Sequence, residues 1–572
     1  MKTGRKELIV IAIAVFLSVL AMFSKLFVGF DVDEGAMLAL AAKLAEGKSM
    51  FGDLWDIYQT TGILPAVFLK IYVLLTGGYE ASALYLRIVG TLIHLGVSFV
   101  LYRTCRKYLP GIAAFLLAAL TFNLLPRGMA APDYTIIQMW GTVLLSCVFL
   151  SIQKSSYGKK TENGLVILGG IAYSLAILAC PPLVLTFPYF LFLLYRGKKK
   201  GVFSGRSFLV FPAACLACAV LFFLYIFHAV SPLEFLESLE GVFSDASHAN
   251  MSRIQVYLGD MPKLLIRSVP VIAAGTLGGL WIGKKKQMEP WWAAILLINV
   301  FYPLFVIFCN FAGRPSGVLG LQVRYLVFAG CSLFVFLKER KNETVKQVFL
   351  WMWIPSVFTY IAMLSVSNLG LEENASTLYL AEIAFFIMMY QSAGKVETGK
   401  CPIKYRMLLA ALGIVCLGHM FYKGYLVRKT GTEPANITET REQIQEGPLK
   451  YLWVYPQDAD MDSFYREELA AHIGPDETAA ILTRNVYVNL YIAGREIEPV
   501  NHSTITYDDQ WILYFERYPK KAPDVIVVDS GKTGEWEDFR QEHSFEGWIS
   551  ERYQLYQTSQ AGETKLYFLR RQ

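Results

Sequence analysis

The chain has 572 residues, 54% of them apolar and 17% charged, which is too apolar and too poor in charge for a wholly soluble protein. Its formal charge of +6 averages two unlike parts: residues 1–427 hold 37 basic and 22 acidic side chains, net +15, and residues 428–572 hold 16 and 25, net −9. The basic excess sits mostly in loops between apolar runs, so no patch for nucleic acid is implied.

Apolar runs long enough to cross a hydrocarbon core of about 30 Å recur down the first part. They predict thirteen spans, near 7–30, 86–102, 110–125, 133–152, 164–180, 182–195, 207–228, 264–283, 290–311, 324–337, 347–367, 377–392 and 406–425. The first is too long for a signal peptide and lacks its small-residue cleavage pattern, so it is expected to remain as an anchor. Lys and Arg gather at every second loop, from Lys2, Arg5 and Lys6 through Arg196 to Lys200 and Lys284 to Lys286; these loops take 25 of the 37 basic residues. The positive-inside rule then puts the N-terminus in the cytoplasm and residues 428–572 outside. All nine cysteines lie between Cys105 and Cys416, so the outside part has no disulfide framework. Cys215 and Cys218 share an apolar span and read as helix-packing residues.

The first outside loop, 31–85, opens with Asp31-Val-Asp33-Glu34-Gly35, continues as an amphipathic helix to Glu46 and breaks at Gly47. Asp53 and Asp56 form a second acidic cluster, and Ile63 to Leu75 is too short for a span and predicts a helix lying in the interface. Acidic groups at a membrane edge are costly unless they meet a cation or perform proton transfer. Asp33 and Glu34 therefore suit metal binding, orientation of a cationic group or deprotonation of a hydroxyl; they equally suit a solvated helix start interacting with the macrodipole. Pro132-Asp133 opens the fourth span, His248 lies in the loop between the seventh and eighth, and Arg314 and Arg324 flank a Gly-rich turn.

Beyond 428, a polar connector to 447 gives way to predicted strands at 451–455, 479–483, 524–529 and 565–569 and predicted helices at 459–473, 508–518 and 533–543. An α/β fold with a partly parallel sheet is expected. Gly531-Lys532-Thr533 matches the end of a phosphate-binding loop, but Ile526 stands where that loop requires glycine, which excludes it.

The order of these features resembles the GT-C glycosyltransferases that use polyprenyl-phosphate sugars, especially the protein O-mannosyltransferase and lipid A aminoarabinose transferase group. The features are a span, an outside Asp-Glu pair, an amphipathic helix ending in Gly, a second acidic cluster, an interfacial helix and Arg87 opening the next span. The resemblance implies a polytopic α-helical membrane domain over 1–427 and a soluble extracytoplasmic α/β domain over 428–572, in the plasma membrane. It implies inverting transfer of a sugar from a lipid phosphate to a lipid, glycan or protein acceptor at the outer face. By it, Asp33 is the catalytic acidic residue, the general base that activates the acceptor or otherwise positions it, with Glu34 its companion, and Asp133, with Asp56, is the candidate second acidic site. A divalent metal at Asp33 and Asp133 is an open possibility. Arg87, Arg127, Arg253, Arg314, Arg324 and His248 are the candidates for the donor phosphate. Tyr58-Gln59-Thr60-Thr61-Gly62 departs from the Lys-Pro or Pro-Pro sequence some members carry after the second cluster. The competing expectations are a transporter or flippase of a lipid-linked glycan, and a non-catalytic assembly subunit on the same scaffold.

Overall fold

A computed structural model describes residues 5–126, 128, 130–155, 157–243, 251–311, 317–367, 369–393, 403–428, 434–500, 508–533 and 544–572. Each of the thirteen predicted spans coincides with a helix. These are α1 (Arg5–Phe27), α4 (Ser82–Cys105), α5 (Gly111–Asn123), α6 (Tyr134–Lys154), α7 (Lys159–Ala179) and α8 (Phe187–Lys199), with α9 (Ser207–Ala229) and α11 (Met251–Lys286). They continue with α12 (Pro290–Phe311), α13 (Gly317–Lys338), α14 (Glu343–Val348) leading into α15 (Ile354–Val366), α16 (Tyr379–Ser392) and α17 (Ile403–Tyr425). Among the described residues, eight helices are by themselves long and apolar enough to cross a membrane, and the chain is a multi-pass membrane protein.

Burial separates the centre of the bundle from its rim. The apolar stretch of α6 is 89% buried, and in α16 every residue from Tyr379 to Met389 is buried. In contrast, α9 leaves Leu209, Leu216 and Leu221 about two-thirds exposed, the face expected toward lipid. Small residues allow close crossings: a Cβ on Gly141 of α6 would stand 2.5 Å from the Ala172 carbonyl oxygen of α7.

Two helices complete the first loop. In α2 (Val32–Glu46), the expected amphipathic helix, eleven of fifteen residues are buried, Lys43 included, so the helix is enclosed rather than laid on a surface. In α3 (Ile63–Thr76), 14 residues rise about 21 Å, short of a span. It buries Pro65, Ala66 and Leu69 and exposes Val67, Ile71, Leu74 and Leu75, the two faces of a helix along a membrane boundary. A further amphipathic helix, α10 (Pro232–Phe243), follows α9.

The C-terminal part carries a four-stranded mixed sheet in the order β5-β6-β8-β7. Here β5 (Ala479–Leu482) and β6 (Val525–Asp529) are parallel, and β8 (Thr564–Arg571) is antiparallel to both β6 and β7 (Tyr553–Ala561). Every residue of β6 is buried, as the apolar run 525–528 requires of a strand covered on both faces. The predicted strand 451–455 is corrected to β4 (Trp453–Val454), which lies outside that sheet, pairing with β3 (Glu442–Gln443) and bridging through Trp453 to Val28. A short ribbon of β1 (Leu426–Arg428) and β2 (Pro434–Asn436) joins the two parts. The helices here are α18 (Pro456–His472), α19 (Asp508–Arg517), α20 (Ser530–Thr533) and α21 (Ser544–Ser550); of the predicted helix 533–543, all but Thr533 lies outside the described residues.

One apolar core joins this sheet to the first loop. Phe30, Leu38, Leu40, Trp55 and Leu69 share it with Ile481, Tyr487, Tyr514, Val527 and Phe568. Backbone contacts reinforce the union: the Gly29 N–H donates to the Trp453 carbonyl (2.8 Å) and the Trp55 N–H to that of Pro499 (2.7 Å).

Candidate active site

The acidic pair lies in the first turn of α2. Asp31 caps that turn, its carboxylate accepting the Asp33 N–H at 3.0 Å, and Gly47 closes the helix in the left-handed conformation at φ 98°. Negative charge is favourable at this end of a helix dipole. Asp33 is half-buried and Glu34 is buried.

The two neighbours do different work. Glu34 accepts from Arg87 Nε at 2.6 Å and Nη2 at 2.7 Å, a two-pronged pair with both residues 3% exposed. Arg87 also donates through Nη1 to the Leu26 carbonyl (2.8 Å) and through Nη2 to that of Gly29 (2.7 Å). The guanidinium, expected to face a donor phosphate, is thus engaged in tying α1, α2 and α4 together. The physical reason is burial: a charge removed from water requires a counter-charge and filled hydrogen-bond positions, and Glu34 with two carbonyls supplies them.

Contacts lead from this pair to the other acids. One turn after Arg87, Gly90 packs against residues 130–132, so closely that a Cβ there would meet the Ala130 carbonyl oxygen at 2.0 Å. The next residue, buried Asp133, caps α6 by accepting the Ile136 N–H (2.7 Å) and the Thr135 hydroxyl (2.8 Å). The Tyr134 ring stacks on that of Tyr58, centroids 4.9 Å apart and planes 28° apart. Asp56, also buried, accepts the Tyr58 N–H at 2.7 Å, and the Thr60 hydroxyl donates to the Leu178 carbonyl (2.7 Å) at the end of α7. The tyrosine stack therefore joins the two loops that carry Asp56 and Asp133, beside the α4 surface that fixes Glu34.

Other candidates separate from this group. Arg324 lies well inside α13 rather than at a turn; it is fully buried, with Nη2 3.4 Å from Glu382 Oε2 of α16 and 2.9 Å from the Tyr325 hydroxyl. Its Nε and Nη1 and Glu382 Oε1 have no hydrogen-bond partner among the described residues. Arg253 donates to the Ser365 carbonyl. Arg127, Arg314 and His248 lie outside the described residues. Among the described residues no three His, Cys, Asp or Glu side chains are grouped to hold a metal ion.

The sequence reading passed over Tyr58, Tyr134 and Gln59. Gln59 is 1% exposed; its Oε1 accepts the Phe51 N–H at 2.9 Å, while its Nε2 has no acceptor among the described residues. The available signal was the recurrence of a tyrosine one or two residues after an acid, at Asp56/Tyr58 and Asp133/Tyr134. Lys43 was also passed over; it donates to Glu498 Oε2 and to the Glu498 carbonyl, both at 3.3 Å, with both side chains 2% exposed.

No protein-family model and no curated protein matches the chain in sequence. Among solved structures it is similar to the apo oligosaccharyltransferase of Archaeoglobus fulgidus, with a TM-score of 0.48 and 12% identity over 98% of this chain and 74% of that one. The same archaeal oligosaccharyltransferase, AglB, with an inhibitory peptide and a dolichol-phosphate, gives 0.38 and 11% over 98% and 74%. ArnT from Cupriavidus metallidurans bound to undecaprenyl phosphate gives 0.41 and 11% over 99% and 98%.

Proposed function

We propose that this chain is an integral-membrane glycosyltransferase that moves a sugar, with inversion, from a polyprenyl-phosphate donor to an acceptor at the membrane face covered by the C-terminal sheet domain. The observation that carries the reading is the acidic first turn of α2, held at the end of α1 by the Asp31 cap and the Glu34–Arg87 pair. Half-buried Asp33 is then the general base or acceptor-positioning acid, and Glu34 is its structural companion. The Tyr58–Tyr134 stack, which joins the loops carrying Asp56 and Asp133, supports assigning these two acids to the same site. The N-terminus is assigned to the cytoplasm and the sheet domain to the outside, with the division between them near residue 427.

The test is transfer of radiolabelled sugar from a panel of polyprenyl-phosphate donors in proteoliposomes, with and without chelator. Transfer by the wild type that is abolished in Asp33→Asn, with unfolding temperature retained, supports the enzyme. Undiminished transfer by Asp33→Asn overturns the assignment of Asp33.

One observation favours the transporter reading, the buried Arg324–Glu382 pair, because charges inside a bundle often mark a translocation path. Movement of a lipid-linked glycan across the proteoliposome membrane, without sugar transfer and dependent on Glu382, would establish that reading instead.

A further inference from the structure

A cleft of about 580 Å³ opens where the sheet domain meets the turn between α3 and α4, within the range of about 300–1,000 Å³ in which proteins hold small ligands. Tyr79 and Glu80 form one wall, and the sheet domain supplies the other with Glu446, Lys450, Arg466 and Tyr491. Backbone bonds fix the walls to each other: the Ala81 N–H donates to the Gly447 carbonyl (2.9 Å) and the Ala83 N–H to that of Pro448 (3.1 Å). The two tyrosines are anchored by their hydroxyls, Tyr79 donating to Glu46 and Tyr491 to Asp462, each at 2.7 Å. Between them Gly447 holds φ 79°, and a Cβ there would stand 2.7 Å from the Tyr491 hydroxyl oxygen, so the turn admits no larger residue.

The charges of the lining cancel, and that selects the ligand. Lys450 pairs with Glu80 and Arg466 with Glu446, each at 2.6 Å, so two cations face two carboxylates. A phosphate would meet both carboxylates, and an apolar ligand would strip water from all four groups. Each pair nevertheless leaves most of its hydrogen-bond positions unused, because an ammonium has three donors, a guanidinium five and a carboxylate about four acceptor positions. The side chains are 25–67% exposed, so those positions are open to a ligand. Sugar hydroxyls donate and accept at once and can bind both members of a pair without separating them. The C–H face of a sugar ring has the Tyr79 and Tyr491 rings to lie against.

The position of the cleft says which part of a ligand it takes. Asp33 and Glu46 stand 13 residues apart on α2, about 20 Å at 1.5 Å per residue, and Tyr79 is bonded to Glu46. The cleft therefore begins at the opposite end of α2 from the acidic turn, directly after α3 with its exposed Leu74 and Leu75 at the membrane boundary. We propose that it is a distal subsite for an uncharged glycan, which holds the acceptor about 20 Å from its reacting end. That the glycan is the acceptor rests on the proposed function; that the cleft binds glycan does not.

The experiment is saturation-transfer NMR on the full chain in phosphatidylglycerol nanodiscs. The probes are uncharged tetrasaccharides of mannose, glucose, galactose and rhamnose, with glycerophosphoethanolamine as the zwitterionic headgroup. We expect at least one tetrasaccharide to bind. Lys450→Ala and Arg466→Ala each remove one exposed ion pair, which costs little stability, and each should weaken that binding about tenfold or more. Silence from all four tetrasaccharides, a signal from glycerophosphoethanolamine alone, or equal binding by the variants would overturn the subsite. Sugar transfer by the same samples is scored separately, and both variants should raise KM for a glycan acceptor and keep kcat. A wild type that binds glycan and transfers no sugar fails as an enzyme and keeps the subsite; transfer without glycan binding does the reverse.

Discussion

Removing Arg87 should unfold the protein more readily rather than weaken its grip on a donor. The guanidinium fills four hydrogen-bond positions, two to Glu34 at 2.6 and 2.7 Å and two to the Leu26 and Gly29 carbonyls at 2.8 and 2.7 Å. Two unit charges about 4 Å apart attract by about 4 kcal/mol at an effective dielectric of 20. Stripping one partner from a buried pair costs about 3–5 kcal/mol, because the remaining charge is left uncompensated. Arg87→Met should cost that much, and somewhat more than Glu34→Gln, since it also strands two carbonyls. In Glu34→Gln/Arg87→Met the stranded carboxylate is gone, so the double variant should be about 2–3 kcal/mol better than the sum of the singles. Reversible unfolding in detergent, followed by tryptophan fluorescence, measures all four corners of the cycle. Coupling below about 0.5 kcal/mol would refute the reasoning. So would an Arg87→Met protein of unchanged stability with a raised KM for the donor, which would return Arg87 to the phosphate.

Further perturbations test the neighbouring contacts. Gly90→Ala places a Cβ against backbone at Ala130, so it should cost about 1–3 kcal/mol in the same unfolding assay and depress sugar transfer by displacing Asp133. Tyr134→Ala should lose the stack on Tyr58, worth about 0.5–1.5 kcal/mol beyond buried area, and more of it than Tyr134→Phe, which keeps the ring. Asp53 is partly buried, yet Lys521 at 2.7 Å and Ser49 hold its carboxyl below the usual 3.8. Its contribution is present above 3.8 and lost as pH falls through the lower folded value, so the stability advantage of wild type over Asp53→Asn should vanish in acid. An advantage that persists at pH 2 would contradict that sign.

The membrane helices were legible because each carries its own signal: length and apolar content are local properties, and all thirteen runs became helices. The start of α2 was legible for the same reason, since Asp31 as cap with Asp33 and Glu34 in the first turn is a local pattern. What failed depends on distant partners. Nothing near Arg87 indicates that Glu34, 53 residues earlier, consumes its donors. Arg324 read as the outer end of a span, beside the Gly-rich turn, until Glu382 on another helix supplied its counter-charge inside the bundle. The strand Tyr553–Ala561 was missed because an outer strand with one partner exposes Gln554, Tyr556 and Thr558, and its polar sequence resembles a connector. The tyrosine stack was hidden because it joins residues 58 and 134 across two loops.

The pairing of Lys43 with Glu498 has a consequence for how the molecule is made. The two residues stand 455 apart in the chain, and ribosomes add about 5–20 residues each second. Lys43 therefore emerges roughly 20 to 90 s before its counter-charge exists, during which the growing chain inserts most of its helices. Throughout that interval α2 lacks the wall against which it is finally enclosed. The helix that bears Asp33 reaches its final setting among the last events of biosynthesis, so a ribosome that stops short of residue 498 releases a membrane-inserted chain whose candidate catalytic turn has never been seated.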